Sequence, residues 1–159
     1  MPEAPPTSFA DFPPLGFFFE VKIDGMDNAA DASFQEVSGL EATRDVEEIV
    51  EGGMNQYKHK VPTRTTYGNL VLKRGLVVRG TDLATWCEQN LLGGLSKPIE
   101  PLDLEVSLLS TASSKPLMTW NVVRSFPVKW SVSNFKSDDN AIVVETLELA
   151  YHGFSRVQV

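Results

Sequence analysis

Cysteine is nearly absent from this sequence: Cys87 is the only one in 159 residues. No disulfide can therefore form within the chain, and no cysteine-based metal site can be built. Histidine is almost as scarce. His59 and His152 share no HxH or HxxxH spacing, so metal chemistry has little to work with. No apolar run approaches the ~20 residues of a membrane-spanning helix. The opening MPEAPPTSFADFPPLG has neither the basic start nor the apolar core of a signal peptide. Synthesis in the cytoplasm, with no membrane binding as a monomer, is the expectation. Basic residues are outnumbered, 14 against 21 acidic, for a net charge of −7. That balance argues against wrapping nucleic acid, which needs clustered Lys and Arg. It suits a passage whose wall repels phosphates. No GxGxxG, Walker-type or GxSxG motif occurs.

The length suits one domain with its own core. Residues 1–16 hold five of the ten prolines and read as an extended arm ahead of a domain at 17–159. FFFEVKID then alternates, with Phe17, Phe19, Val21 and Ile23 on one side and Glu20, Lys22 and Asp24 on the other. Period two is the mark of a half-buried strand. SFQEVSGL reads as a second strand ending at Gly39. LVLKRGLVV reads as a strand broken at Gly75. PLDLEVSLL places Leu102, Leu104, Val106 and Leu108 on one face. LMTWNVVR follows after the turn-like SSKP. SFPVKWSVSNF places Phe126, Val128, Trp130 and Val132 together, with Lys129, Ser131 and Ser133 opposite.

One helix is predicted. Thr81 is a fair N-cap, Asp82 suits the first turn, and Leu83, Trp86, Cys87 and Leu91 recur at helical spacing before Gly93-Gly94. Cys87 lies on that apolar stripe, which suggests a buried structural thiol rather than a nucleophile. The last strand, AIVVETLELAYHGF, carries Val143, Leu147 and Leu149 on one face and Ile142 and Val144 on the other. A strand apolar on both faces needs cover on both, here from the chain's own core and a neighbouring subunit. Glu145 interrupts it and is expected to be a paired or interface carboxylate.

A polar hairpin is predicted over about 45–61. DVEEIVE and QYKHKV flank Gly52-Gly53-Met54-Asn55. A four-residue loop would set Glu48 against His59 and Glu47 against Lys60, with Glu51 and Lys58 near the tip. One limb is acidic and the other basic, and neither has a clean apolar face, so the hairpin should project from the body. Lys73-Arg74-Gly75 could be a phosphate grip, but no aromatics interleave to stack bases. A bend with solvated side chains fits it better. The fold class is mainly β: an antiparallel barrel or two-layer sandwich with one short flanking helix. No catalytic constellation or cofactor site is expected, and the chain is not expected to be an enzyme.

FFFEVKIDG, FQEVSGL, YGNLVLKRG, a short tryptophan-bearing helix, FPVKW and VETLELAYHGF follow one another in an order that resembles the tail tube proteins of contractile phages and injection systems. FQEVSGL and NLVLKRG are the most specific pieces. The resemblance implies a structural subunit that forms hexameric rings, whose inner sheets join around a lumen and whose rings stack into a tube. It implies partners in sheath, baseplate hub and terminal cap, and protein or nucleic-acid cargo in the lumen. The type VI secretion tube protein has a similar fold. The particle would be a phage tail or a tail-like device, released or envelope-anchored. The hairpin, through Glu47, Glu48, Glu51, Lys58, His59 and Lys60, corresponds to the loop that contacts the adjacent ring. The last strand, through Val143, Glu145, Leu147 and Leu149, serves the core and the contact within a ring. Glu20, Lys22, Lys129 and Ser131 are lumen candidates. Two alternatives are a specialised ring of this fold at the tube end, to which the proline-rich arm would be suited, and a monomeric β-barrel binding module.

Overall fold

The computed structural model describes residues 16, 18–27, 33–50, 52–53, 58–78, 80–136 and 141–158. The proline-rich arm, apart from Gly16, and Glu51 lie outside the described residues. The elements run β1 (Phe19–Ile23), β2 (Glu36–Ser38), β3 (Ala42–Ile49), β4 (His59–Tyr67), β5 (Leu70–Gly75), α1 (Asp82–Leu91), β6 (Leu102–Leu109), β7 (Pro116–Val132), β8 (Val144–Ala150) and β9 (Gly153–Gln158). All strand pairing is antiparallel. Among the described residues no helix is long and apolar enough to cross a membrane.

The 17-residue strand β7 organises the body. LMTWNVVR and SFPVKWSV, read in the sequence as two strands, are one. The chain bends at Arg124, whose φ is 51°. The Arg124 N–H donates to Asp103 Oδ1 at 2.7 Å, and the buried Ser125 hydroxyl donates to the Leu102 carbonyl at 2.6 Å. These bonds hold a backbone conformation that a non-glycine residue adopts reluctantly. Before the bend β7 lies between β6 and β9, with β1 beyond β6. After it β7 pairs with β8, followed by β5 and β2. Strands β8 and β9 run in succession along β7, so this long pair belongs to both groups. No ladder joins β1 to β2, so among the described residues the sheet stays open and is not a closed barrel.

Both groups bury their apolar sides in one core. Val21, Ile23, Leu104, Val106 and Val122 come from the first; Leu70, Leu72, Leu147 and Leu149 come from the second. The period-two reading holds for β1 and β6 because each has one wet face. It fails at Val128. The register with β8 shifts between Pro127 and Lys129, so Pro127 and Trp130 oppose Leu149 and Leu147, and Val128 is turned out. A bulge adds one residue and reverses the alternation beyond it.

Helix α1 forms as predicted. Thr81 Oγ1 accepts the Ala84 N–H at 3.2 Å, satisfying one of the orphan donors of the first turn. Leu83, Trp86 and Cys87 are buried, and Leu91 is half-buried. Trp86 Nε1 donates to the Glu100 carbonyl at 2.8 Å, fastening the helix to the segment before β6.

Candidate assembly surfaces

The two motifs singled out in the sequence are neighbours in space. FQEVSGL supplies β2 and NLVLKRG supplies β5, and they pair Glu36 with Lys73, Val37 with Leu72 and Ser38 with Val71. Lys73 Nζ lies 2.8 Å from Glu36 Oε1 across the solvent side of that pair. Gly39 follows with φ +89°, and a Cβ there would sit 1.9 Å from the Asn69 carbonyl oxygen. Only glycine meets both demands. The segment entering the hairpin can therefore cross directly over the start of β5.

Arg74 corrects the expectation of a solvated bend. Its side chain points inward and is only 3% exposed. Its Nε donates to Glu145 Oε2 at 2.6 Å. Glu145, 5% exposed, also accepts Trp130 Nε1 at 2.5 Å through its other oxygen. Arg74 reaches the Thr81 hydroxyl at 3.4 Å, so β5, β7, β8 and the N-cap of α1 meet in one polar network. Both carboxylate oxygens are engaged, which is the condition for a buried charge to be tolerated. Lys73-Arg74 is thus neither a phosphate grip nor a contact loop: one side chain pairs at the surface and the other locks the core. Nearby, burial pushes the Cys87 thiol up to about 12, with the Glu145 charge adding to the effect. The thiol stays protonated and unreactive.

Strand β8 is two-sided in the ordinary way. Glu145, Leu147 and Leu149 are buried in the subunit's own core, with Tyr151 following. Val144, Thr146, Glu148 and Ala150 form the opposite, half-buried side. Ile142 and Val143 precede the strand, Ile142 exposed and Val143 half-buried. The expected second apolar face is therefore mixed in character. Thr146 and Glu148 interrupt it, and Lys129 Nζ lies 3.1 Å from Glu148 Oε1. Of the lumen candidates, Lys129 and Ser131 share this side with Thr146 and Glu148. Glu20 and Lys22 lie on β1 in the other strand group, where they pair with each other at 3.4 Å. The structure does not bring the four together.

The strands of the hairpin run Ala42–Ile49 and His59–Tyr67, beyond the expected bounds of about 45–61 on both limbs. Strands β3 and β4 form a separate two-stranded sheet, exposed along its length except at Thr65, which is half-buried. The predicted register is one residue off. Glu48 faces Lys60, Ile49 faces His59, and Glu47 faces Val61. The last described pair of the ladder is Ile49 with His59. The acid–base match survives in another form, with Lys58 Nζ 3.0 Å from Glu48 Oε2. What sequence reasoning missed is the ribbon's apolar content: Val46, Ile49, Val50 and Val61 are all exposed. Its root is an aromatic cluster. Tyr67, Tyr151 and Phe154 have ring centroids 5.7–6.2 Å apart. The Tyr151 hydroxyl lies 2.9 Å from the Gly39 carbonyl and 3.2 Å from that of Glu41.

Comparison with known proteins gives a consistent picture. The profile of the T4-like virus tail tube protein gp19 family matches residues 15–155. No curated protein matches. A chain in the cryo-EM structure of the anti-feeding prophage baseplate is 25% identical with a TM-score of 0.79, over 93% of this chain and 97% of that one. A chain in the sheath-tube complex of the extracellular contractile injection system PVC, in its extended state, is 26% identical with a TM-score of 0.79, over 97% and 100%. Hcp1 from Flavobacterium johnsoniae shares the fold at 17% identity and a TM-score of 0.52, over 90% and 97%.

Proposed function

Proceeding from the fact that the chain belongs to the T4-like virus tail tube protein gp19 family, we propose that it is the repeated inner-tube subunit of a contractile injection particle. Six copies form a ring, rings stack around a lumen, and protein or nucleic-acid cargo passes through it. Sheath, baseplate hub and terminal cap are its partners, and it has no catalytic task. One observation carries the reading: a chain from a sheath-tube complex aligns with 97% of this chain, in keeping with a family match over residues 15–155. The physics agrees. Strands β2 and β9, and β7 beyond its bend, each have one side without a strand partner in the described chain. Edges of this kind invite pairing, and a closed ring of copies removes them.

A second reading, a specialised ring at the tube end, is favoured by the equal likeness to a chain from a baseplate structure. Electron microscopy of the purified protein at high concentration, with solution mass in parallel, tests both. Long hollow tubes are expected. Single rings that do not stack support the tube-end role, and a uniform monomer overturns both readings.

A further inference from the structure

Both limbs of the ribbon enter the body at one corner. Strand β8 turns into β9 there, facing the bend of β7, and the His152 N–H donates to the Val123 carbonyl at 3.1 Å. Phe126 faces Ala150 on one side of the corner, and Val123 faces Gly153 on the other. Tyr151 and Phe154 belong to this corner, and Tyr67, the last residue of β4, lies against both rings at interplanar angles of 51° and 73°. Tilted and edge-on pairs of this kind are the favoured arrangement of aromatic rings. The first residue of β3, Ala42, pairs with Tyr67, so the second limb starts at the same place. The segment leading to it is tightly folded. The Glu41 N–H donates to the Gly39 carbonyl at 3.0 Å, and Leu40 between them packs on the core.

We infer that Tyr151 is a positioning residue that, with Tyr67 and Phe154, clamps the β3–β4 ribbon at a set angle to the body, making it a rigid lever rather than a hinged arm. Three observations support the clamp. First, a lone two-stranded ribbon is marginal in water, and this one pairs with no other strand among the described residues. Its direction has to be fixed at the root. Second, both limbs are held. The rings hold β4 through Tyr67, and the Tyr151 hydroxyl donates to the carbonyls of Gly39 and Glu41 just ahead of β3. A grip on one limb alone would leave a hinge. Third, the ring and the hydroxyl of Tyr151 have separate tasks. The ring belongs to the core cluster and is only 7% exposed, so it cannot swing. A phenylalanine would fill that space as well; the hydroxyl adds the tie to the ribbon. Burial raises the Tyr151 hydroxyl above its ordinary 10.0, so it keeps the proton that it donates. A ribbon set in this way meets its ordering cost on folding and not on association.

The test is a distance measurement on the monomer isolated by size exclusion, so it does not depend on whether tubes form. The full chain carries Cys87→Ser, with spin labels on Lys60→Cys in β4 and Gln89→Cys on the exposed side of α1. Double electron–electron resonance should give one narrow distance. Tyr151→Phe removes the hydroxyl alone, and the distribution should roughly double in width. Tyr67→Ala, at a position 38% exposed, should broaden it further, while Tyr67→Phe restores the narrow distance. Circular dichroism of all three should stay native, which separates a freed ribbon from an unfolded body. If Tyr151→Phe does not fold, the Tyr67 pair decides alone. A broad distribution in the parent chain, or a width that neither Tyr151→Phe nor Tyr67→Ala changes, overturns the clamp.

Discussion

The body and the ribbon are built from the same kind of strand, yet they solve opposite problems. In the body, β1, β5, β6 and β8 alternate between core and surface, and their buried positions converge on one cluster. In the ribbon nearly every position of β3 and β4 is exposed, and pairing is only between the two. The body's stability comes from apolar burial, at roughly 25 cal/mol per Å². The ribbon has only its ladder and cross-strand pairs such as Lys58–Glu48, each worth tenths of a kcal/mol up to ~1. Folding energy is thus concentrated in the body. Substitutions in the body should therefore act on folding, and those in the ribbon on assembly.

The largest effect should come from Leu147→Asp. Leu147 is buried against its own core, so a carboxylate there should abolish folding rather than merely prevent assembly. Circular dichroism of the soluble fraction decides it: a native spectrum with a cooperative melt would show that β8 is misassigned. Next is Glu145→Ala, which leaves the Arg74 guanidinium buried without its carboxylate. Stability should drop by about 3–5 kcal/mol in denaturant titration. A loss below ~1 kcal/mol would mean that water reaches the network. Cys87 gives a smaller, pH-dependent effect. Burial raises its pKa from the ordinary thiol value of 9.0 to about 12, so the folded state holds the proton more tightly. The associated stability is fully present below pH 9 and is lost as pH rises towards 12. The melting temperature should fall across that window more steeply in wild type than in Cys87→Ser. Parallel pH curves would refute burial of the thiol. Smallest for folding is Lys58→Glu with Lys60→Glu. Melting should move by no more than a few tenths of a kcal/mol, while tube length measured by microscopy shortens. Tubes of wild-type length would remove the ribbon from the stacking contact.

Some of this was legible in the residues. Alternation in FFFEVKID and PLDLEVSLL exposed the core faces directly, because a strand with one wet side must alternate. Thr81, Asp82 and the Leu83–Trp86–Cys87 stripe delimited α1 through local capping and periodicity. The hairpin was visible in its acidic and basic limbs either side of Gly52-Gly53. Its register was not, because the charges of the two limbs pair as well one residue out of step, and one residue of slip exchanges every facing pair. Val128 was misplaced for a similar reason. A bulge is a property of two strands, and β7 shows no sign of it until β8 is laid alongside.

The local elements, the helix, the acidic balance and the order of motifs that resembles the tail tube family could all be read along the chain. Those follow from short-range periodicity and residue chemistry. The fate of Arg74 was settled by the fold. Its partner Glu145 is 71 positions away, and a charged side chain next to another in sequence reads as solvated until a buried carboxylate is brought to it.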